Sequence, residues 1–228
     1  MAMVLSMAVS TSAALGKPGS STPSTKTEQS SSSSKKSSSS SSSSKGYDLC
    51  KTQLAKDKLA LNMHNTFLSG LKANKDKITV SIKGYTEKQV YAAFQNSLQM
   101  IFDEHPEIFW LDTMQNLVVS SDHKTLTFYP RPASGYGTAS KDGLTASKLN
   151  TTAIKNTTAK MNEAVKKMTG STTYEQVKAI HDGIINKTQY PANPDKATHN
   201  QHQAVGPLVE GKAVCDGYAK AFKYACDQ

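Results

Sequence analysis

The sequence predicts an α+β protein in which a small α+β domain precedes a mainly helical region. Two observations indicate this class. Residues 78–82, 116–120 and 125–129 have the short alternating or apolar patterns of strands, and all three lie before residue 138. The periodic segments after that point have helical spacing only. About 180 residues follow the low-complexity start of the chain, which is enough for a buried core.

The first 46 residues predict an exported protein with a flexible spacer. Residues 1–16 are apolar and rich in small side chains, like the core of a signal peptide, although they lack its basic start. Residues 17–46 are dominated by serine, threonine and lysine, and such a segment buries too little apolar surface to become ordered. We therefore expect an extracellular or cell-envelope protein. No apolar stretch reaches the length of about 18 residues that would predict a transmembrane segment.

Residues 47–138 are predicted to form the small α+β domain. Its second helix begins with the capping-box pattern of Thr86 and Gln89. The same helix ends before Pro106, because the residue ahead of a proline avoids the α region. Residues 135–138 are glycine-rich and mark the predicted boundary. The predicted elements are a helix at 47–72, a strand at 78–82, a helix at 86–104 and a hairpin of strands 116–120 and 125–129.

Residues 139–228 are predicted to be helical. A long helix is expected at 145–168, although its threonines lower the helix propensity of the first half. Thr172 begins the next helix, a polar loop follows at 189–205, and a last helix carries Cys215. The expected apolar faces are Tyr174, Val177, Ile180 and Ile184 on the second helix, and Val214, Tyr218, Phe222 and either Ala225 or Cys226 on the last.

The net charge of +9 does not by itself indicate a nucleic-acid partner. The lysines are scattered, Arg131 is the only arginine, and no basic stripe carries interleaved aromatic residues. We therefore expect no nucleic-acid partner. Weak attraction to an anionic cell wall or membrane surface is the alternative, and the sequence does not indicate an oligomeric state.

The three cysteines, Cys50, Cys215 and Cys226, do not form a disulfide framework. Eleven residues along one helix separate the last two by roughly 16 Å, whereas a disulfide needs Cα atoms within about 7 Å. Cys215 follows a glycine turn at the predicted start of a helix. Unpaired backbone N–H groups and the positive end of the dipole favour a thiolate there. A buried cysteine that packs as a small apolar residue is the alternative.

The residues around Cys215 resemble the core of bacterial transglutaminase-like proteins. The resemblance is carried by VKAIHDGII at 177–185, by Tyr190, and by AVGPLVEGKAVCDGYAKAF at 204–222. That family has its nucleophilic cysteine in a segment of this kind, and the match covers residues 172–228. DEHPEIFW at 103–110 resembles a segment of the domain that often precedes this core. Val205 departs from the family, which often has an aromatic residue there.

The resemblance implies a papain-like cysteine fold, in which a helix carries the nucleophile and an antiparallel sheet supplies a histidine and then an aspartate. It also implies that Cys215 attacks a peptide or protein amide to form a thioester, which water or an amine resolves. In the family, the histidine and aspartate lie beyond the cysteine helix. We therefore expect this chain to be a catalytically incomplete fragment with the helical half of the fold and without the catalytic sheet. The resemblance implies no cofactor and no metal.

The histidines ahead of Cys215 provide no obvious replacement base. His181 lies about one position off its apolar stripe and is expected to be structural or exposed. His199 and His202 have the spacing of a metal-binding pair, but two ligands without a third make a weak site. The three residues after Cys215 are expected to be a helix-terminal acid, a close-packing glycine and a core aromatic, namely Asp216, Gly217 and Tyr218.

We expect the full-length protein to be an exported cysteine-dependent acyl transferase or peptidase with Cys215 as its catalytic residue. Its substrate would be a peptide or protein amide, in the cell envelope for an exported enzyme. The alternative is a non-catalytic exported binding or scaffold protein with a degenerate domain of this kind. Hydrolysis and transamidation are not distinguished, because both pass through the same thioester.

Overall fold

The computed structural model describes residues 3–8, 53–142 and 145–228. The predicted linker at 17–46 and Cys50 lie outside the described residues, and the signal-like segment is described only over 3–8. The fold is mixed α+β, and the described residues belong to one compact unit. Within them, no helix is both long enough and apolar enough to cross a membrane.

The main sheet is antiparallel and contains the predicted strands. Strands β2 (Ile78–Ser81), β3 (Met114–Val119) and β4 (Thr125–Tyr129) lie in the order β3-β4-β2. The backbone of β1 (Met3–Ala8) pairs antiparallel with the other edge of β3. Residues of β2 alternate between buried and exposed, as the sequence predicts for a half-buried strand.

Helices α1 (Lys58–Lys72) and α2 (Glu87–Glu104) pack against each other, and α1 also contacts β2. Their apolar stripes meet the sheet in an aromatic cluster. The rings of Phe67, Phe94 and Phe128 lie with centroids 4.9 to 5.8 Å apart. The apolar residues at helical spacing on these helices are all buried and form the core of this part of the chain, namely Leu59, Met63, Phe67 and Leu71 on α1 and Val90, Phe94, Leu98 and Ile101 on α2.

The predicted helix at 47–72 is interrupted: residues 53–54 are helical, but a new helix, α1, begins at Asp57, and the predicted start at residue 47 lies outside the described residues. Asp57 has extended backbone angles, and its carboxylate accepts a hydrogen bond from the Ala60 N–H at 2.9 Å. The predicted start of the next long helix at residue 145 is wrong. There, Asn150 caps the helix by accepting from the Ala153 N–H at 3.0 Å.

The second part of the chain contains a two-stranded ribbon and three helices. The ribbon pairs β5 (Gly137–Thr138) with β6 (Lys148–Leu149). The helices are α3 (Thr151–Val165), α4 (Thr173–Ile185) and α5 (Cys215–Cys226). Between α4 and α5, the predicted loop contains 3-10 turns at Pro194–Lys196 and His199–His202, and a π turn follows at Gly206–Glu210.

The predicted apolar face of α4 is only half buried. Ile180 and Ile184 are buried, but Tyr174 is 75% exposed and Val177 is 42% exposed. The two exposed side chains lie on the first two turns of α4, ahead of the buried isoleucines. The prediction for this helix is thus correct at its second half and wrong at its first.

The predicted apolar face of α5 is also rotated from the observed one. Val214 and Ala225 are buried, but Tyr218 and Phe222 are only half-buried and Cys226 is exposed. The buried positions follow the i, i+3, i+4 and i+7 spacing of one helix face. They are Gly217, Lys220, Ala221, Tyr224 and Ala225.

The described residues on either side of 135–138 share one hydrophobic core. Helix α5 contacts both α2 and the 3-10 turn at Pro106–Ile108, and Lys223 of α5 lies 3.6 Å from Glu104 of α2. The domain boundary at 135–138 remains a prediction.

Candidate functional site

Cys215 is the first residue of α5, where the sequence predicts it. Val214 precedes it as the N-cap residue with extended backbone angles, φ −97° and ψ 178°, and its side chain forms no capping hydrogen bond. The thiol is free and the residue is exposed. An exposed thiol therefore lies beside backbone N–H groups that have no acceptor within the helix.

The chain enters α5 through a sharp turn that pairs with the end of α4. Gly211 has φ +69°, a left-handed conformation that favours glycine, and it ends the π turn. The Gln189 N–H donates to the Gly211 carbonyl at 2.9 Å, and the Ala213 N–H donates to the Gln189 carbonyl at 3.2 Å. This pairing fixes the direction in which the chain reaches Cys215.

Gly217 allows the turn at His199–His202 to pack directly on the start of α5. A Cβ atom at Gly217 would lie 2.2 Å from the Gln201 carbonyl oxygen. The Val214 N–H donates to that same oxygen at 3.1 Å. The close-packing role predicted for Gly217 is confirmed, and its consequence is that the turn lies against the first turn of the helix.

This packing brings His202 next to Asp216. The His202 ring donates from Nδ1 to the two carboxylate oxygens of Asp216, at 3.0 and 3.1 Å. Asp216 also accepts from the Gly217 N–H at 3.0 Å, as an acid in the first turn of a helix does. The histidine and the carboxylate thus form a pair at the residue that follows Cys215.

Lys220 lies beneath this pair and is only 5% exposed. Its ammonium donates to the His202 carbonyl oxygen at 3.0 Å and lies 4.0 Å from the nearer carboxylate oxygen of Asp216. Burial lowers the pKa of Lys220, and the negative charges of Asp216 and Asp103 act in the opposite direction. We call His202, Asp216 and Lys220 the polar cluster.

His199 does not join His202 in a metal site. Its Nε2 lies 2.7 Å from the Phe109 carbonyl oxygen, so this nitrogen donates a hydrogen bond to the backbone. Burial lowers the pKa of His199, which favours the neutral ring. Among the described residues, no group of three or more His, Cys, Asp and Glu side chains is arranged to hold a metal ion.

His181 lies on α4 and is exposed, which confirms the prediction of a structural or exposed residue. Its Nδ1 lies 3.0 Å from the carboxylate of Asp182. In the part of the chain that the structure describes, no histidine ring forms a hydrogen bond with the Cys215 sulfur.

An apolar groove of about 260 Å³ lies between α4 and α5. Tyr218, three residues after Cys215 on the same helix, lies at one wall of it. The Tyr218 ring stacks on that of Tyr190, with centroids 6.5 Å apart, and its hydroxyl donates to the Thr188 carbonyl at 2.8 Å. Tyr218 is therefore a half-exposed residue and not the core aromatic that the sequence predicts. The groove is lined by His181, Ile184, Ile185, Tyr218, Ala219 and Phe222.

No protein-family model matches this chain. No curated protein matches it either. The resemblance of residues 172–228 to the transglutaminase-like core therefore remains a prediction, and it rests on the residues quoted for it.

The polar cluster was missed in the sequence. Asp216 and Lys220 are four residues apart, so their proximity on one helix face was readable from the spacing. His202 lies fourteen residues before Asp216, and no local pattern connects the two. Their contact depends on the Gly217 packing, which only the folded chain shows.

Proposed function

We propose that this chain carries the nucleophile of a cysteine-dependent acyl-transfer enzyme of the transglutaminase-like superfamily, acting on peptide or protein amides. The observation that carries the proposal is the position of Cys215. It is an exposed thiol at the first residue of a helix whose N-cap residue, Val214, forms no side-chain hydrogen bond. The motif at residues 204–222 supports it independently, because that family has its nucleophile at this point of the motif.

The proposed reaction has two steps. The Cys215 thiol loses its proton to a general base, which the resemblance implies is a histidine that is not among those described beside Cys215, and the sulfur attacks the amide carbonyl carbon. The C–N bond then breaks, the amine leaves with the proton, and a thioester remains on Cys215. Water or a second amine resolves the thioester and restores the thiol. The backbone N–H of Cys215 donates to the carbonyl oxygen as it becomes negative.

The groove between α4 and α5 supports a peptide substrate. It is apolar, it is open at the surface, and it starts within one helical turn of Cys215. Apolar side chains on either side of the reacting amide suit such a groove. For an exported protein, the substrate would belong to the cell envelope.

The proposal is tested by alkylating the full chain with iodoacetamide between pH 5 and 9 and measuring the rate at each cysteine by peptide mass mapping. We expect Cys215 at pH 7 to react at least about tenfold faster than N-acetylcysteine, because activated thiols are largely ionised at neutral pH. Cys226 is an internal control, since burial, followed by the charge of Asp227, raises the pKa of its thiol. A Cys215 rate equal to that of N-acetylcysteine across the range contradicts the proposal.

The second candidate is a non-catalytic binding or scaffold protein. The exposed apolar groove favours it, because the groove offers a binding surface whether or not Cys215 reacts. This candidate requires that Cys215→Ser leaves binding of apolar peptides unchanged while Phe222→Ala weakens it, as measured by fluorescence anisotropy. Ordinary reactivity of Cys215 together with that result would favour the binding protein.

A further inference from the structure

We propose that His202 is a further residue of the Cys215 site, and that Asp216 positions its ring. The inference rests on the proposed function, which assigns Cys215 but leaves the polar cluster without a role. In this proposal, the Nε2 atom of His202 faces the substrate and stabilises the negative charge that develops on the oxygen of the amide carbonyl that Cys215 attacks.

The orientation of the His202 ring is fixed by Asp216. An ionised carboxylate only accepts hydrogen bonds, so the Nδ1 atom that lies 3.0 Å from it must carry a proton. This leaves Nε2 as the atom that gains or loses the second proton. The Asp216 carboxylate is itself fixed in place, because it also accepts a hydrogen bond from the Gly217 N–H at the start of α5.

The backbone of His202 is fixed by separate contacts. Lys220 donates to its carbonyl oxygen at 3.0 Å, and the neighbouring Gln201 carbonyl accepts from the Val214 N–H at 3.1 Å. Ring and backbone are thus both tied to the first turns of α5. A histidine that only filled space at the surface would need none of these contacts.

The Nε2 side of the ring is free to meet a substrate. The His202 side chain is 41% exposed, and no described residue forms a hydrogen bond with Nε2. The carboxylate that holds the ring belongs to the residue next to Cys215, which is also exposed. The ring, in the turn at His199–His202, is therefore held against the first turn of α5, where the thiol also lies.

The chemistry follows from the protonation of Nδ1. With a second proton on Nε2, the ring is a cation that donates a hydrogen bond outward, and the Asp216 carboxylate balances its charge. As Cys215 attacks, the carbonyl oxygen becomes negative and accepts from Nε2–H and from the Cys215 N–H. The hydrogen bonds are made without transfer of a proton. The other charged or titratable groups that face the ring are Lys220 and His199.

The test compares two alkylating reagents of opposite selectivity, anionic iodoacetate and neutral iodoacetamide, at Cys215 of the full chain. A cationic ring beside the thiol attracts the anionic reagent, so the ratio of the two rates reports its charge. At pH 6 we expect His202→Gln and His202→Asn to lower this ratio by about two- to fivefold, the size of an exposed charge interaction. Asp216→Asn should not lower the ratio, because it removes a negative charge beside Cys215 while the amide oxygen can still accept from the ring.

At pH 9, the ratios of the wild type and the His202 variants should agree, because histidine side chains are neutral there. A merely structural role would not produce this dependence on pH. His123→Gln is the control, since His123 is an exposed histidine in the turn between β3 and β4, outside the groove and the polar cluster, and it should keep the wild-type ratio. Circular dichroism checks that each variant is folded.

Two results overturn the inference. If Cys215 reacts fast and both His202 variants keep the wild-type ratio at pH 6, the role of His202 is wrong and the proposed function stands. If Cys215 of the wild type reacts no faster than N-acetylcysteine, the proposed function fails first, and the inference fails with it.

Discussion

Glu107 is a carboxylate whose two partners come from different elements. His105 donates to it from Nδ1 at 3.0 Å, and Lys72 of α1 donates from its ammonium at 3.0 Å. Burial by itself raises the pKa of Glu107, but hydrogen bonds from His105, from the backbone and from Lys72 together lower it from 4.5 to about 2. The Glu107 carboxylate therefore binds a proton less tightly in the folded protein than in the unfolded chain.

The sign of the resulting pH dependence follows from linkage. The ionised Glu107 stabilises the fold above about pH 4.5, and this contribution is lost as the pH falls to about 2. We expect Glu107→Gln to lower the free energy of unfolding at pH 7 by less than about 1 kcal/mol, because a third of the side chain is exposed to solvent. At pH 2, the variant and the wild type should be equally stable.

Urea denaturation followed by circular dichroism at both pH values measures this difference. Lys72→Met is the control for the ammonium contact. It should lower the free energy of unfolding at pH 7 by part of the amount that Glu107→Gln does. An equal loss of stability at pH 7 and pH 2 would show that packing, and not the charge, is responsible.

Cys215 and His202 show how far single residues of the site are predictable. The glycine turn and the helix pattern around Cys215 are local, so its position at the start of α5 was predictable from the sequence. The contact of His202 with Asp216 was not, because it depends on a backbone approach at Gly217 that no spacing encodes. Local signals place the thiol, and tertiary packing places the groups around it.

At the scale of elements, the turn at His199–His202 packs on the start of α5 only because Gly217 has no side chain. In an ordinary helix, Gly→Ala raises stability by about 0.5–1 kcal/mol. Here the added Cβ would lie 2.2 Å from the Gln201 carbonyl oxygen, which is backbone and is also bonded to the Val214 N–H. We therefore expect Gly217→Ala to destabilise the protein by about 1–3 kcal/mol, as overpacking does.

Thermal unfolding measures the sign of this change. Ala219 is an exposed residue of the same helix, so Ala219→Gly serves as a control for helix propensity and should cost about 0.5–1 kcal/mol. A Gly217→Ala variant as stable as the wild type would mean that the turn at His199–His202 moves away from α5 at little cost. The contact between His202 and Asp216 would then not depend on close packing at Gly217.

Helix starts that depend on a single local motif were predicted, and those that depend on competing caps were not. The capping boxes at Thr86 and Thr172 are both present. The boundaries of α1 and α3 were missed, because apolar spacing continues past Asp57 and Asn150 although each residue caps a helix. Apolar spacing also does not show which stripe is buried when several are available, as on α5.

At the scale of the molecule, the two parts of the chain are joined by polar contacts as well as by a shared core. His199 donates to the Phe109 carbonyl at 2.7 Å, and the Tyr136 hydroxyl donates to the Asn200 side chain at 3.1 Å. Both contacts connect the turn before Cys215 to residues that come before 139. The geometry of the site thus depends on the part of the chain that the sequence predicts as a separate domain.

This dependence predicts that both parts unfold together. Trp110 is the only tryptophan and is 2% exposed, so its fluorescence reports the first part. A dye on the exposed Cys226, in a Cys50→Ser and Cys215→Ser background, reports α5. We expect the two signals to have the same urea midpoint, and Tyr136→Phe to lower both equally, by about 1 kcal/mol for one hydrogen bond. Two separate midpoints, or a shift of the α5 signal alone, would instead identify residues 135–138 as the boundary of independently folding domains.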